Sequence, residues 1–118
     1  MDKVKVYCCV PVKFRDNEKI KYEIATVQNY WLSLNPTQKN NVEFVTNFVE
    51  SGHSRDYSLS DRDFKNAAIE ELTVAIDRLM DCDVVVFHPD FEADDACKTI
   101  HFMVETYQFK TRYYIIGR

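Results

Sequence analysis

Asp83-Val84-Val85-Val86-Phe87-His88-Pro89 is followed by Asp90-Phe91-Glu92-Ala93-Asp94-Asp95-Ala96-Cys97. A short apolar run closed by His-Pro-Asp predicts a strand buried on both faces, as in a parallel sheet. An acidic turn comes next, and then a further amphipathic helix. In open α/β sheets ligands lie outside the carboxyl ends of such strands, so this turn is the expected edge of a site.

Upstream, Lys3 to Val12 reads as a first strand, with Val4, Val6, Cys8 and Val10 alternating with Lys3, Lys5 and Tyr7 until Pro11 ends it. Asp16 or Asn17 can cap a helix running to about Leu34, whose residues Ile20, Ile24, Val27, Trp31 and Leu34 share one face. Asn35-Pro36 stops it, because the residue before proline avoids helical dihedrals. Val42 to Phe48 is rich in β-formers and predicts a second strand, with a helix from Pro36 to Gly52 as the competitor. Residues 50–59 form a polar loop.

Ser60 then has the character of an N-cap, with Asp61 and Asp63 placed to favour the helix dipole. Phe64, Ala68, Leu72, Ala75, Ile76 and Leu79 form the apolar stripe of a helix ending near Asp81. After the strand Asp83–Phe87, a helix spans about Asp94 to Gln108, with Cys97, Ile100, Val104 and Tyr107 on one face. Thr111 to Ile116 closes the order as a fourth strand. Alternating β and α elements predict an α/β domain whose parallel sheet of about four strands is covered on both faces through right-handed crossovers.

Composition agrees with one packed domain: 118 residues, 46% hydrophobic and 14% aromatic, with only 2 Gly and 3 Pro. A net charge of −4 gives no electrostatic reason to bind a nucleic-acid polymer or an anionic membrane. With no long apolar stretch and no signal-peptide pattern, a cytoplasmic location is expected. Cys8, Cys9, Cys82 and Cys97 lack metal-ligand spacing and read as small buried hydrophobes. A zinc site built from Cys9, Cys97, His88 and His101 is the weaker reading, and no metal and no cofactor is expected.

Four stretches converge: residues 4–11 (VKVYCCVP), residues 75–87 (AIDRLMDCDVVVF), Phe91-Glu92, and residues 96–101 (ACKTIH) with Tyr107 further on. Together they resemble nucleoside 2-deoxyribosyltransferase-like proteins, in particular a short subgroup from Gram-positive bacteria and their phages. Val4-Lys5-Val6-Tyr7-Cys8-Cys9-Val10-Pro11 is similar to the opening strand and proline turn of that family. Residues Ala75 to Phe87, with Cys82-Asp83 before the apolar run, are similar to its helix-to-strand passage. Phe91-Glu92 stands where the family usually carries Trp-Glu. Ala96-Cys97-Lys98-Thr99-Ile100-His101, with Tyr107 further on, resembles the start of its late helix.

The resemblance implies a Rossmann-like three-layer sandwich that holds a nucleoside or nucleotide at the carboxyl edge of the sheet, with homodimers common. It implies N-glycosidic bond chemistry in active members, which place a glutamate near the start of the late helix against an oxocarbenium-like sugar. In this chain that position is Ile100, which cannot act as nucleophile or base, and the family's glycine falls at Ala96. Val10 stands before the first-strand proline, where the family carries a small or polar residue, and an aspartate position of the family falls at Ala75. Loss of glycosidase chemistry is the simplest reading.

Glu92, Asp94 and Asp95 are the carboxylates that can replace the missing group, since close carboxylates can divide acid and base roles. Capping by Asp94 or Asp95 with the rest solvated carries more weight. Glu70 and Glu71 read as solvent-facing, although one can approach a ligand from the neighbouring helix. The expected ligand-binding positions are Cys9, Val10 and Pro11 at the first strand, Tyr57 in the loop, and His88, Phe91, Ala96, Cys97, Ile100 and His101 around the acidic turn. Among the aromatics, Phe91 and Tyr57 suit base stacking better than Tyr7 or Trp31, the latter being read as core. His53, Arg55, Lys13 and Arg15 are candidates for a phosphate.

Three functions follow, in decreasing order of support: a nucleoside- or nucleotide-binding module without catalysis, a protein-interaction domain whose pocket has filled in, and an active glycosidase or deoxyribosyltransferase.

Overall fold

The computed structural model of the chain describes residues 3–13, 15–50, 58–107 and 112–117. Four strands, β1 (Val4–Cys9), β2 (Val42–Thr46), β3 (Val84–Phe87) and β4 (Arg112–Ile115), form one parallel sheet in the order β2-β1-β3-β4. Three helices flank it: α1 (Asn17–Leu34), α2 (Asp61–Met80) and α3 (Asp95–Thr106). This is a Rossmann-like α/β sandwich of three layers.

The side-chain alternation of the central strands assigns the layers. Val6, Cys8 and Val10 of β1 and its extension pack with Val84 and Val86 of β3 against Ile20, Val27 and Trp31 of α1. On the opposite face Tyr7, Cys9, Val85 and Phe87 pack against Ala75 and Leu79 of α2 and Cys97, Ile100 and Val104 of α3. A strand with two buried faces needs a continuous apolar run, and Val84–Phe87 supplies it. β1 is likewise buried on both faces, as a covered parallel sheet requires: Tyr7 is fully buried, and its hydroxyl donates to the Ala75 carbonyl at 2.9 Å.

Both long helices start at a side-chain cap. Asp16 accepts from the Lys19 amide before α1, and Ser60 accepts from the Asp63 amide before α2. Pro36 begins a single 3₁₀ turn, Pro36–Gln38, and the chain then enters β2, so the helical competitor for this region is not formed. β2 stops at Thr46, earlier than expected, because the Asn47 side chain takes over its pairing with β1. Arg78 Nη1 fixes the strand end by donating to the Thr46 and Phe48 carbonyls at 3.0 and 2.9 Å. Among the described residues, no helix is long and apolar enough to cross a membrane.

Candidate functional site

The loop after β1 leads to α1 on one face, whereas those after β2 and β3 lead to α2 and α3 on the other. This divergence opens the carboxyl edge of the sheet around β1, the position at which open α/β sheets hold ligands.

Side chains from distant parts of the sequence fix that edge. Val10 is held like a strand residue by Asn47: its amide donates to Asn47 Oδ1 and its carbonyl accepts from Asn47 Nδ2, both at 2.9 Å. The Cys97 thiol also donates to the Val10 carbonyl, at 3.1 Å. Past Pro11, the amides of Val12 and Lys13 donate to Asp94 Oδ2 at 2.7 and 3.1 Å. Asp94 Oδ1 accepts from the Ala96 amide at 2.9 Å and so caps α3. One buried carboxylate thus ties the β1 loop to the start of α3.

Beside this tie lies a recess of about 240 Å³. The edge contributes Val12, Lys13, Asn47 and Val49, α3 contributes Asp95 and Ala96, and Asp94 stands between them. α2 contributes Phe64, Ala68, Glu71, Leu72 and Ala75. These five positions share one helical face, since they follow spacings of three and four residues. The stripe of α2 is therefore divided: Ala75 and Leu79 are buried, while Phe64, Ala68 and Leu72 are half-buried where they border the recess.

No family model, curated protein or solved structure matches this chain. The site rests on its own geometry.

Of the carboxylates singled out in the sequence, Asp94 and Asp95 border the recess, and Glu92 is exposed on the 3₁₀ turn Phe91–Ala93. Asp94 accepts three amide hydrogen bonds and acts as a structural tie. Asp95 is exposed and lies 3.4 Å from Lys98 Nζ. Glu71 borders the recess, the alternative kept open for one of the two glutamates of α2, whereas Glu70 is exposed as the main expectation had it. Position 71 falls seven residues after Phe64 and four before Ala75, so the helical period carried that signal.

Other expected ligand positions fall elsewhere. Ala96 borders the recess. Val10 and Pro11 are buried at the end of β1, and Cys9, Cys97 and Ile100 lie in the core beneath α2 and α3. Phe91, expected on an exposed loop, is tucked inward by its 3₁₀ turn and packs on Phe87 and His101, with ring centroids 5.1 and 5.0 Å apart. His101 Nε2 faces Glu105 at 3.3 Å, so this ring belongs to the α3–β4 side. Tyr7 and Trp31 are core residues. Tyr57, His53 and Arg55 lie outside the described residues.

All four cysteines are buried thiols outside any disulfide. Burial pushes the Cys8 thiol up to about 12 and Cys82 up to about 11. Burial also raises Cys9, reinforced by its hydrogen bond and charge interaction with Cys97. A protonated thiol is a weak nucleophile and a poor metal ligand. Cys9 and Cys97 are neighbours, but His88 and His101 sit in separate environments, so the four residues considered for zinc do not converge on a shared centre.

His88 lies at the β3 end on the α1 side. Its Nδ1 accepts from the Asp90 amide at 3.1 Å. Burial pushes the imidazole below its ordinary value, opposed by the charge of Asp90 and assisted by Arg15 and Lys19. Close to it stands Glu23 of α1, which the sequence reading passed over. Glu23 follows Ile20 by three positions and precedes Val27 by four, so a carboxylate on the buried face was visible in the period.

Proposed function

We propose that the recess between β1, α2 and the start of α3 binds a nucleoside or a nucleotide of low charge, without cleaving its N-glycosidic bond. The apolar face of α2 opposite the Asp94 tie is the observation that carries this reading. Its volume of about 240 Å³ lies just below the roughly 300–1,000 Å³ of drug-sized ligand sites and suits a compact ligand. Phe64, Leu72 and Val49 offer apolar surface to a base or sugar, while Lys13, Glu71 and Asp95 offer polar contacts at the border.

Charge narrows the ligand class. Among the described residues, Glu71, Asp94 and Asp95 border the recess together with the cation Lys13. The positive end of the α3 dipole is already met by Asp94 and Asp95. The described lining is richer in carboxylates than in cations, which favours the uncharged nucleoside over a polyphosphate.

The absence of cleavage rests on Ile100. Its side chain is fully buried among Phe87, Phe91 and Cys97, and it offers the sugar no carboxylate. A catalytic alternative would have to use Asp95 or Glu71 at the border, since Asp94 is committed to three amides and Glu92 lies outside the lining. A filled-pocket interaction domain is the second reading: Val10 and Ile100 are fully buried, as it expects, while the recess between β1, α2 and α3 remains open. Exposed Ile69, Met80 and Phe102 on α2 and α3 are compatible with a homodimer, which sedimentation equilibrium tests.

Amide spectra during titration with a nucleoside, its monophosphate and its triphosphate test the reading. Shifts at Lys13, Leu72 and Ala96, strongest for the nucleoside and weakest for the triphosphate, are expected. Shifts confined to other residues, or the reverse order of affinity, would contradict it.

A further inference from the structure

A second polar cluster lies at the same edge, on the α1 side of the sheet, apart from the recess. One carboxylate oxygen of Glu23, one imidazole nitrogen of His88 and one carboxylate oxygen of Asp90 lie within 4.8 Å of one another. Among the described residues, these are the acidic and imidazole side chains gathered closely enough to hold a metal ion.

Glu23 makes the cluster more than a chance meeting of charges. It is 4% exposed, and its Oε2 is buried without a hydrogen-bond partner. Its other oxygen pairs with Arg15 Nη1, and Arg15 Nη2 lies 3.7 Å from Asp90 Oδ2. Arg15 thus engages one oxygen of each carboxylate, and Glu23 Oε2 stands without a hydrogen-bond partner. An orphaned buried carboxylate oxygen beside an imidazole and a second carboxylate is a place for a cation.

We infer that Glu23, His88 and Asp90 form a binding site for one divalent cation of the Mn²⁺ or Zn²⁺ class, with Arg15 as the outer partner of both carboxylates. Two carboxylates with one imidazole give an oxygen-rich set with a single nitrogen donor, which suits these ions better than copper or a thiol-preferring metal. Bonds of about 2.0–2.2 Å require ligand atoms about 3.0–3.4 Å apart, so the site closes inward on binding. Asp90, with its side chain 62% exposed, has the freedom to make that movement.

His88 gives the site a signature of its own. With Nδ1 accepting from the Asp90 amide, the neutral ring carries its proton on Nε2. Coordination through Nε2 moves that proton to Nδ1, and coordination through Nδ1 takes the same lone pair, so either mode ends the amide hydrogen bond. The Asp90 amide resonance therefore reports directly on the metal.

The test uses the chelator-treated chain, with Mn²⁺ followed by electron paramagnetic resonance and Zn²⁺ by calorimetry. One equivalent of either ion is expected to bind, with the Asp90 amide losing its hydrogen-bonded shift when Zn²⁺ is added. Loss of an outer-shell partner alone weakens metal sites by about 10–100-fold, so Asp90→Asn and His88→Gln should each weaken binding by at least about tenfold. Asp90 is exposed, so the first variant keeps the fold even where the second does not. No binding of either ion at millimolar concentration, or equal binding by wild type and Asp90→Asn, would overturn the assignment.

Discussion

Asp94 Oδ2 accepts the amide of Val12 at 2.7 Å across 82 positions of sequence, and through this bond the start of α3 and the end of β1 become one edge. The same carboxylate caps α3 through Ala96 and also receives Lys13. Its role is architectural, and the recess takes its shape from it.

Replacing Asp94 with Ala removes a helix cap and two further charge-assisted hydrogen bonds. Caps contribute about 0.5–2 kcal/mol and bonds to charged groups about 1.5–3 kcal/mol, without full additivity. A loss of about 2–4 kcal/mol in urea unfolding is expected, and Asp94→Asn should recover part of it. A change below about 0.5 kcal/mol would contradict the architectural role.

Asn47 stands in for a strand residue where β2 ends. The Val10 amide depends on the Asn47 side-chain oxygen, and the Val10 carbonyl is shared between the Asn47 side-chain nitrogen and the Cys97 thiol. Asn47→Leu keeps similar bulk but leaves the Val10 amide unsatisfied, at a cost of about 1–3 kcal/mol. Amide exchange at Val10 should accelerate in step with that loss, and unchanged protection would contradict the pairing.

The buried thiols set an alkaline limit on stability. Cys8 and Cys82 are raised from 9.0 to about 12 and about 11, so their contribution is complete below pH 9. Above it the unfolded chain gives up protons that the folded chain retains, and stability falls by up to about 1.4 kcal/mol per pH unit for each such thiol. Unfolding midpoints under reducing conditions should drop steeply from pH 9 to 11, and thiol labelling of the native chain should be slow at pH 8. Rapid labelling of all four thiols at pH 8 would contradict their burial.

His88 acts at the acid end. Its folded value lies below the ordinary 6.5 because burial disfavours the charged ring. As the pH falls below 6.5, the unfolded chain takes up a proton that the folded chain resists, so stability declines. His88→Gln should flatten this part of the stability profile. A variant as acid-sensitive as wild type in that window would assign the effect to other groups.

Much of the architecture was legible because local and tertiary signals agree. The run Val84–Phe87 fits a strand with two buried faces, and Ser60 with Asp61 and Asp63 marks the start of α2. Strand ends were less legible, since Asn47 continues the pairing of β2 with a side chain that no propensity registers. Phe91 was misplaced because a single 3₁₀ turn decides whether an aromatic in a turn points to solvent or to the core. Of the candidate site, the sheet edge and the Asp94–Ala96 turn that border the recess were legible. Glu71 and Glu23 show the gap: both sit on apolar helical faces, where the period marked them as inward and their charge argued for solvent.

The central claim is that the α2 recess holds an intact nucleoside-type ligand. Ultrafiltration with a mixed panel of nucleosides, nucleotides and cyclic nucleotides, read by mass spectrometry, tests it most directly with wild type beside Ala68→Trp, which fills the recess. The account predicts that wild type retains an intact low-charge compound and that Ala68→Trp does not. Release of free base, equal retention by a folded Ala68→Trp, or no retention by wild type would contradict it.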